Sequence, residues 1–190
     1  MTIVTGARRE RRENRGPSAA PANHRALIAA AREVFGEQGF DAPLSAVAKR
    51  AGVGQGSLYR HFPDRVSLAL AAFDDNMGEI EELAARPGVT LQALLARITE
   101  QTIESVAFVD IVYAGADDPR LDAVTARLRL ALAEPLRAAR NAGTVRRSLS
   151  TSDVEVAIGM MASLVAKSPP ADRERTAKAC WSLLDRALRP

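Results

Sequence analysis

One stretch of the chain, residues 42–62, narrows the possible folds more than any other. It begins with four apolar residues at the spacing i, i+3, i+4 and i+7: Leu44, Val47, Ala48 and Ala51. This spacing predicts one apolar stripe on a helix of about two turns. Gly52 then ends the helix, because a residue without a Cβ adopts the left-handed conformation at little cost. A second short helix follows, with Leu58 and Phe62 on its inner face.

Two helices joined by so tight a turn predict a helix-turn-helix, which lays its second helix in the DNA major groove. If Leu58 and Phe62 point inward, a rotation of about 100° per residue turns polar side chains outward. Gln55 lies at the helix N-terminus, the end that usually reaches the bases. The predicted DNA-contacting residues of this helix are Gln55, Gly56, Ser57, Tyr59, Arg60 and His61. The alternative is a helical hairpin in a core, with Arg60 and His61 on its solvated face.

The segment AGVGQGSLYRHFPDR resembles the signature of the TetR family of bacterial transcription regulators. The resemblance covers residues 23–70 and implies a three-helix DNA-binding domain there. It implies a ligand-binding and dimerisation domain at residues 71–190. It also implies DNA contacts by Ser45, a polar residue early in the second helix, and by Arg65, where the family has a basic residue that touches phosphate.

The chain departs from the family pattern at the start of the second helix, where the family usually has a capping Thr or Ser. Pro43 suits the first helical position, and Asp41 is the remaining candidate for a cap. Further helices are predicted from apolar periodicity and from breaks at Gly and Pro: residues 23–38 capped by Asn23, 64–83 capped by Asp64, 91–113 capped by Thr90, 119–142 with a kink at Pro135, 153–167 and 172–188. No segment alternates as a strand does, so the predicted fold class is all-α.

The charge is divided unevenly along the chain. Residues 1–65 contain eleven Arg or Lys against six Asp or Glu, whereas residues 66–190 contain fifteen against seventeen. A basic N-terminal third suits a DNA-reading head on a body that avoids DNA. Residues 1–22 are Arg-rich and lack apolar periodicity, which predicts a flexible arm. This arm either follows DNA phosphates or is a solvated tail.

The sequence contains no catalytic constellation and no metal-ligand spacing. It lacks an HxxxH motif, a nucleophile elbow and a phosphate-binding glycine loop, and its two histidines are far apart in sequence. Cys180 is the single cysteine, so no internal disulfide is expected. We therefore expect that the protein is not an enzyme and that it binds neither a cofactor nor a metal. With no long apolar run and no signal-peptide pattern, we expect a cytoplasmic, nucleoid-associated protein.

The resemblance implies that the body senses a ligand, in a pocket among its long helices whose occupant moves the fourth helix. The candidate lining residues are Met77, Thr102, Ser105, Phe108, Tyr113, Leu128, Met160 and Met161. The alternative for each of them is a place in the plain core, which sparse polar groups on a helix do not exclude. Because aromatic residues are few and Leu, Ala and Val dominate, the expected effector is mostly apolar.

The segment from Val154 to Ala166 is apolar nearly all round, with ten of its thirteen residues Ala, Val, Ile, Leu or Met. A helix that serves only its own core needs one apolar stripe, so this one is expected to be covered on two sides. With the following helix it predicts a dimer interface of Val154, Ile158, Met161, Val165, Cys180, Trp181, Leu184 and Leu188. The alternative is that both helices are buried within one subunit.

These observations predict a homodimeric, sequence-specific regulator of transcription, a repressor that a small molecule releases from a palindromic operator. One competing hypothesis is an all-α ligand-binding protein or enzyme that keeps a basic head without reading DNA. Another is architectural, nonspecific DNA binding. Sequence-specific DNA retardation that falls when a ligand is added distinguishes the predicted regulator from the first alternative. A footprint at a single site distinguishes it from the second.

Overall fold

The computed structural model describes residues 20–106, 109 and 118–189, and their regular structure is helical. The helices are α1 Ala20–Gln38, α2 Leu44–Arg50, α3 Gln55–His61, α4 Arg65–Ala84, α5 Leu91–Glu104, α6 Pro119–Asn141, α7 Thr151–Ala166 and α8 Arg173–Leu188, with a 3₁₀ turn at Pro170–Asp172. No β-strand occurs in these residues, and the predicted all-α class is confirmed. None of the described helices is both long and apolar enough to cross a membrane.

The N-terminal head consists of α1, α2, α3 and the first half of α4, which enclose one apolar core. Its most deeply buried side chains come from all four helices and include Leu27, Phe35, Val47, Leu58 and Leu68. Gly52 has a φ of 67° between α2 and α3, so the predicted left-handed turn is confirmed. The core therefore fixes α3 against α1 and α2, with the tight turn setting its direction.

The body consists of the second half of α4 together with α5, α6, α7 and α8. Its main core joins Met77 and Ile80 of α4 to apolar residues of α5, α6 and α7. A smaller cluster between α7 and α8 contains Met161, Val165, Ala177 and Cys180. Since α4 contributes to the cores of both head and body, it connects the two rigidly.

Side-chain caps begin several helices where the sequence predicts them. The Asp64 carboxylate accepts a hydrogen bond of 2.7 Å from the Ser67 amide, and the Ser67 side chain bonds back in a capping box. The Thr90 hydroxyl oxygen accepts from the Ala93 amide at 3.1 Å and caps α5. Both predicted caps are confirmed. Ser150 forms a further capping box at the start of α7.

The first two helices begin differently from their predictions. α1 extends over Ala20–Gln38, so Asn23 lies inside the helix and is not its cap. Pro21 is tolerated there because the first-turn amides need no helical partner. Residues 20–22 of the predicted arm thus belong to α1, and residues 1–19 lie outside the described range. Pro43 is the N-cap residue of α2 rather than its first helical residue, and no side chain caps this helix, so Asp41 does not serve.

The helix predicted to extend from residue 91 to Tyr113 stops earlier. α5 ends at Glu104, and Ser105 leaves helical geometry with φ −132° and ψ 57°. Val106 and Val109 are helical again, so the predicted single helix is interrupted at Ser105, and its remaining residues 107, 108 and 110–113 lie outside the described range. Pro135 lies in the interior of α6 as predicted, and the kink expected there stays a prediction.

Candidate functional site

Helix α3 is held by its inner residues and leaves its other face open. Leu58 and Phe62 are 1% and 4% exposed and pack into the head core. Of the six residues of α3 predicted to face DNA, four are exposed: Gln55, Gly56, Tyr59 and Arg60. The other two, Ser57 and His61, are half-buried. Ser45 near the start of α2 is also exposed. The arrangement offers a short, polar, solvent-facing helix on a rigid base.

The two histidines, distant in sequence, are neighbours in the head because α1 packs against α3. The His24 ring stacks on Phe62 with centroids 4.9 Å apart, and it meets His61 edge-on at 5.7 Å. Among the described residues no group of three or more His, Cys, Asp or Glu could hold a metal ion. The pair therefore packs one edge of α3 onto α1.

Arg65, which is predicted to touch phosphate, contacts other residues of the head in this structure. Its guanidinium donates to the backbone carbonyls of Phe40 and Ala42 in the loop between α1 and α2. It also lies over the Phe40 ring, 5.4 Å from the centroid. These contacts satisfy two loop carbonyls and fix the loop to α4. Both hydrogen bonds come from one terminal nitrogen, Nη1, so the Nε and Nη2 donors are left for a phosphate, and phosphate binding by Arg65 stays a prediction.

Part of the positive charge of the head is paired within the protein. Arg50 at the end of α2 reaches the carboxylates of Glu33 and Glu37 on α1, each at 2.8 Å. The Arg50 guanidinium holds the pKa of the Glu37 carboxyl below its ordinary value, mainly through their hydrogen bond. Lys49 and Arg60 make no ion pair with any described residue. The unpaired cations of α2 and α3 are thus available to an external anion.

A cavity of about 220 Å³ lies in the body between α4, α5, α6 and α7. Its walls are mostly apolar, and the lining residues are Phe73, Asn76, Met77, Ile80, Ile98, Gln101, Thr102, Ser105, Val109, Val124, Thr125, Leu128, Glu155, Ile158, Gly159 and Ala162. A concave apolar site with a few polar groups is the usual form of a small-molecule site. The cavity is smaller than the roughly 300–1,000 Å³ of drug-sized pockets.

The predicted pocket residues divide into three groups. Met77, Thr102, Ser105 and Leu128 line the cavity. Met160 and Met161 do not: Met160 is 51% exposed on the outside of α7, and Met161 is fully buried in the cluster between α7 and α8. Neither side chain therefore lines this cavity, because one faces solvent and the other faces α8. Phe108 and Tyr113 lie outside the described residues.

Four polar lining residues were missed from the sequence: Asn76, Gln101, Thr125 and Glu155. Gln101 is 6% exposed, and Glu155 has a side chain that is 14% exposed. Gln101 follows Leu94 and Ile98 on the apolar stripe of α5 at helical spacing, which was a usable signal. Glu155 had no such signal, because only packing against α6 shows which side of α7 it faces.

Most of the residues predicted for the dimer interface are buried within the subunit itself. Six of the eight are buried within the subunit, namely Val154, Ile158, Met161, Val165, Cys180 and Leu188. Trp181 and Leu184 are half-buried, and the Trp181 indole N–H donates to the Thr99 hydroxyl at 2.7 Å. These residues are therefore not the free surface of α7 and α8. The exposed large apolar residues of the two helices are Val156, Met160, Leu164 and Leu183, at 59%, 51%, 50% and 65%.

The start of α6 forms a joint between body and head. Leu121 is 6% exposed and belongs to the head core. Beside it, the Arg120 guanidinium bonds both oxygens of Asp64 at 3.0 Å and also pairs with Asp118 at 2.6 Å. Asp64 is the residue that caps α4. The joint therefore connects α6 directly to the helix that links head and body.

The ion pairs of this joint predict a loss of stability in acid. The Arg120 guanidinium lowers the pKa of Asp118 to about 2. Burial raises the pKa of Asp64, but the hydrogen bonds from the Ser67 amide and from Arg120 together lower it by more. The pKa of Asp64 therefore also lies below its ordinary value. Depressed carboxyl pKa values stabilise the folded state fully above the unfolded pKa near 4. This contribution is lost as the pH falls from about 4 toward 2.

The measurement is the free energy of unfolding between pH 5 and pH 2, for wild type and Asp118→Asn. We expect the variant to show a shallower decline below about pH 4, because it has lost one titrating group. Asp122→Asn is the control, since Asp122 is exposed on the same helix and has no ion pair among the described residues. An Asp118 variant with the wild-type slope contradicts the assignment.

Comparison with known proteins agrees with this geometry. The model for bacterial regulatory proteins of the tetR family matches residues 27–72. A TetR transcriptional regulator from Streptomyces coelicolor is 29% identical over 88% of this chain and 98% of that chain, with a TM-score of 0.59. A TetR transcription regulatory protein from Mycobacterium vanbaalenii is 25% identical over 91% and 98%, with a TM-score of 0.56. A γ-butyrolactone receptor, 19% identical over 90% of both chains, has the same fold with a TM-score of 0.61. No curated protein sequence matches the chain.

Proposed function

Because the chain belongs to the TetR family of bacterial regulatory proteins, we propose that it is a ligand-released repressor of transcription. In this proposal it binds a palindromic operator as a homodimer and leaves it when a small molecule fills the cavity. The observation that carries the proposal is the solvent-facing polar surface of α3, held on a rigid core inside the matched residues 27–72. Such a regulator acts where the chromosome is, in the bacterial cytoplasm.

The head as a DNA-binding domain corresponds to α1, α2, α3 and the start of α4, close to the predicted residues 23–70. The rest of the chain is the ligand-binding and dimerisation domain. A footprint on the DNA that flanks the gene tests the DNA-binding function, with a single protected near-palindrome as the expected result. Protection of every fragment alike contradicts sequence-specific reading.

We expect Gln55→Ala to weaken operator binding by about 1–3 kcal/mol and to flatten the base preference at one position. Gln55 is exposed at the first residue of α3, and a Gln amide can pair with two atoms of an adenine edge. The measurement is affinity for the operator and for a set of single-base variants of it.

Tyr59→Phe is the matched control on the same face of α3. Tyr59 is 53% exposed, and we assign its hydroxyl to a phosphate of the DNA backbone, so loss of this hydroxyl is expected to weaken all sequences equally. A Gln55 variant that keeps full discrimination between operator and scrambled DNA excludes base reading by Gln55.

The proposed dimer uses the exposed apolar side of α7 in place of the residues predicted from the sequence. Val156, Met160 and Leu164 recur every four residues and form a ridge on this helix, which we call the α7 ridge. With the exposed Leu183 of α8, it supports a symmetric contact between two copies. Two heads joined in this way match a palindrome, as helix-turn-helix dimers do.

The proposed effector site is the cavity between α4, α5, α6 and α7. Met77 of α4 and Leu128 of α6 are both in its wall, and each helix also reaches the head. A ligand that changes the packing of either helix is therefore able to change the position of the head. The apolar walls support a small, mostly apolar effector.

A further inference from the structure

We propose that the effector carries a hydrogen-bond donor, an ammonium or hydroxyl group, on its apolar body, and that Glu155 accepts it. This inference rests on the proposed function, in which the cavity holds the effector, and it adds the chemical class of the ligand. Glu155 is then the residue that determines specificity.

The first observation is the charge of the cavity wall. Glu155 is the one ionisable side chain among the described lining residues, and it is 14% exposed. Arg129 of α6 bonds its two oxygens at 2.8 and 2.9 Å. Arg129 itself is 55% exposed and does not line the cavity. Glu155 therefore belongs to the cavity wall, whereas its partner Arg129 does not.

The Glu155 carboxylate keeps capacity for a ligand despite this ion pair. A carboxylate offers about four lone-pair positions, and a bidentate arginine occupies one on each oxygen. Two positions remain for a donor from the cavity. Hydrogen bonds to an ionised carboxylate are roughly twice as strong as neutral ones, and more so where water is scarce.

The second observation is that the lining threonines have already used their hydroxyl hydrogens. The Thr102 hydroxyl donates to the Ile98 carbonyl at 2.7 Å, and the Thr125 hydroxyl donates to the Leu121 carbonyl at 3.2 Å. Each hydroxyl has one hydrogen and two acceptor positions. Both threonines therefore present acceptors to any further partner.

The side-chain amide of Gln101 has also used its hydrogens. Its amide nitrogen donates to the Asn76 carbonyl at 3.0 Å and to the Glu79 carboxylate at 3.1 Å, which uses both amide hydrogens. The side chains of Asn76 and Ser105 are the lining groups that keep donors among the described residues. Acceptors thus outnumber donors, and a ligand with acceptors alone leaves most of them unpaired at a cost.

The test compares three probes of equal length that differ in the head group: heptylamine, heptanol and heptanoate. Binding to the full chain at neutral pH is measured by calorimetry and by the thermal unfolding midpoint. We expect heptylamine to bind at least about tenfold more tightly than heptanoate, with heptanol between them. The head-group order in the wild-type protein requires no variant to fold.

Glu155→Gln keeps the size of the side chain and removes its charge, and it is expected to abolish most of the preference for the amine. Glu134→Gln is the matched control, because Glu134 also pairs with an arginine, Arg137, but on the exposed surface of α6. It should leave the head-group order unchanged. Ala162→Leu narrows the cavity from α7 and should weaken all three probes alike, which locates the binding.

The outcomes separate this inference from the function on which it rests. If heptanoate binds as tightly as heptylamine, or if the amine preference survives in Glu155→Gln, the donor assignment is overturned while the effector cavity stands. If no probe shows binding that Ala162→Leu weakens, the cavity is not the effector site, and both fail together.

Discussion

Glutamate in place of Leu164 is expected to give a folded monomer that has lost operator binding. Leu164 is 50% exposed in the subunit, at the C-terminal end of the α7 ridge. In a symmetric dimer the substitution buries two unpaired carboxylates near each other, at a cost of several kcal/mol. A single head has half the DNA contacts, so operator affinity should fall by more than about tenfold. Light scattering at micromolar concentration measures the mass, and circular dichroism measures the helicity.

Two further substitutions make the dimer prediction specific to the α7 ridge. Met161→Glu places the charge at a fully buried position of the subunit, so it should unfold the protein and not merely separate two copies. Leu130→Glu changes a residue of α6 that is 76% exposed and should have no effect on mass or stability. A Leu164→Glu protein that remains a dimer with full operator affinity places the interface elsewhere.

The sequence predicted two covered sides on α7, and the structure shows that most of the residues it assigned to a dimer are covered within the subunit. Val154, Ile158, Met161 and Val165 form one helical stripe, and Val156, Met160 and Leu164 form another. Periodicity alone cannot rank two stripes of similar hydropathy. The choice is made by packing against α5 and α8, which involves residues distant in sequence.

Features fixed by nearby residues were predicted well. The turn at Gly52, the inner face of α3 and the caps Asp64 and Thr90 each depend on a few neighbouring residues, and all are confirmed. The end of α5 at Ser105 could not be predicted in this way, because no Gly or Pro follows the helix there. The early start of α1 was hidden because Pro21 reads as a helix breaker except in a first turn.

Arg65 has contacts within the protein that the family pattern did not indicate. Its position at the start of α4 was predicted correctly, but its guanidinium bonds the carbonyls of Phe40 and Ala42. Those carbonyls lie in a loop more than twenty residues earlier, and their need for a donor is not visible in local sequence. Sequence placed the residue, and only the fold showed its partners.

Leu121→Ala is expected to destabilise the protein by about 2–5 kcal/mol and to reduce the response of operator binding to an effector. Leu121 is 6% exposed within the head core although it belongs to α6. Over the next two turns, α6 contributes Val124, Thr125 and Leu128 to the cavity wall. One rigid helix therefore touches both the cavity and the head. Urea unfolding measures the stability, and operator affinity with and without an effector measures the response.

The neighbouring ion pair should matter less than Leu121, because the side chains of Arg120 and Asp64 are 42% and 47% exposed. Exposed pairs contribute only about 0–1 kcal/mol, so Arg120→Ala is expected to cost far less than Leu121→Ala. Leu130→Ala is the matched control on α6, with an expected change within about 0.5 kcal/mol. If Leu121→Ala is as mild as Leu130→Ala, α6 does not anchor the head. If Leu121→Ala is destabilising but the effector still releases the operator fully, the signal reaches the head through α4 alone.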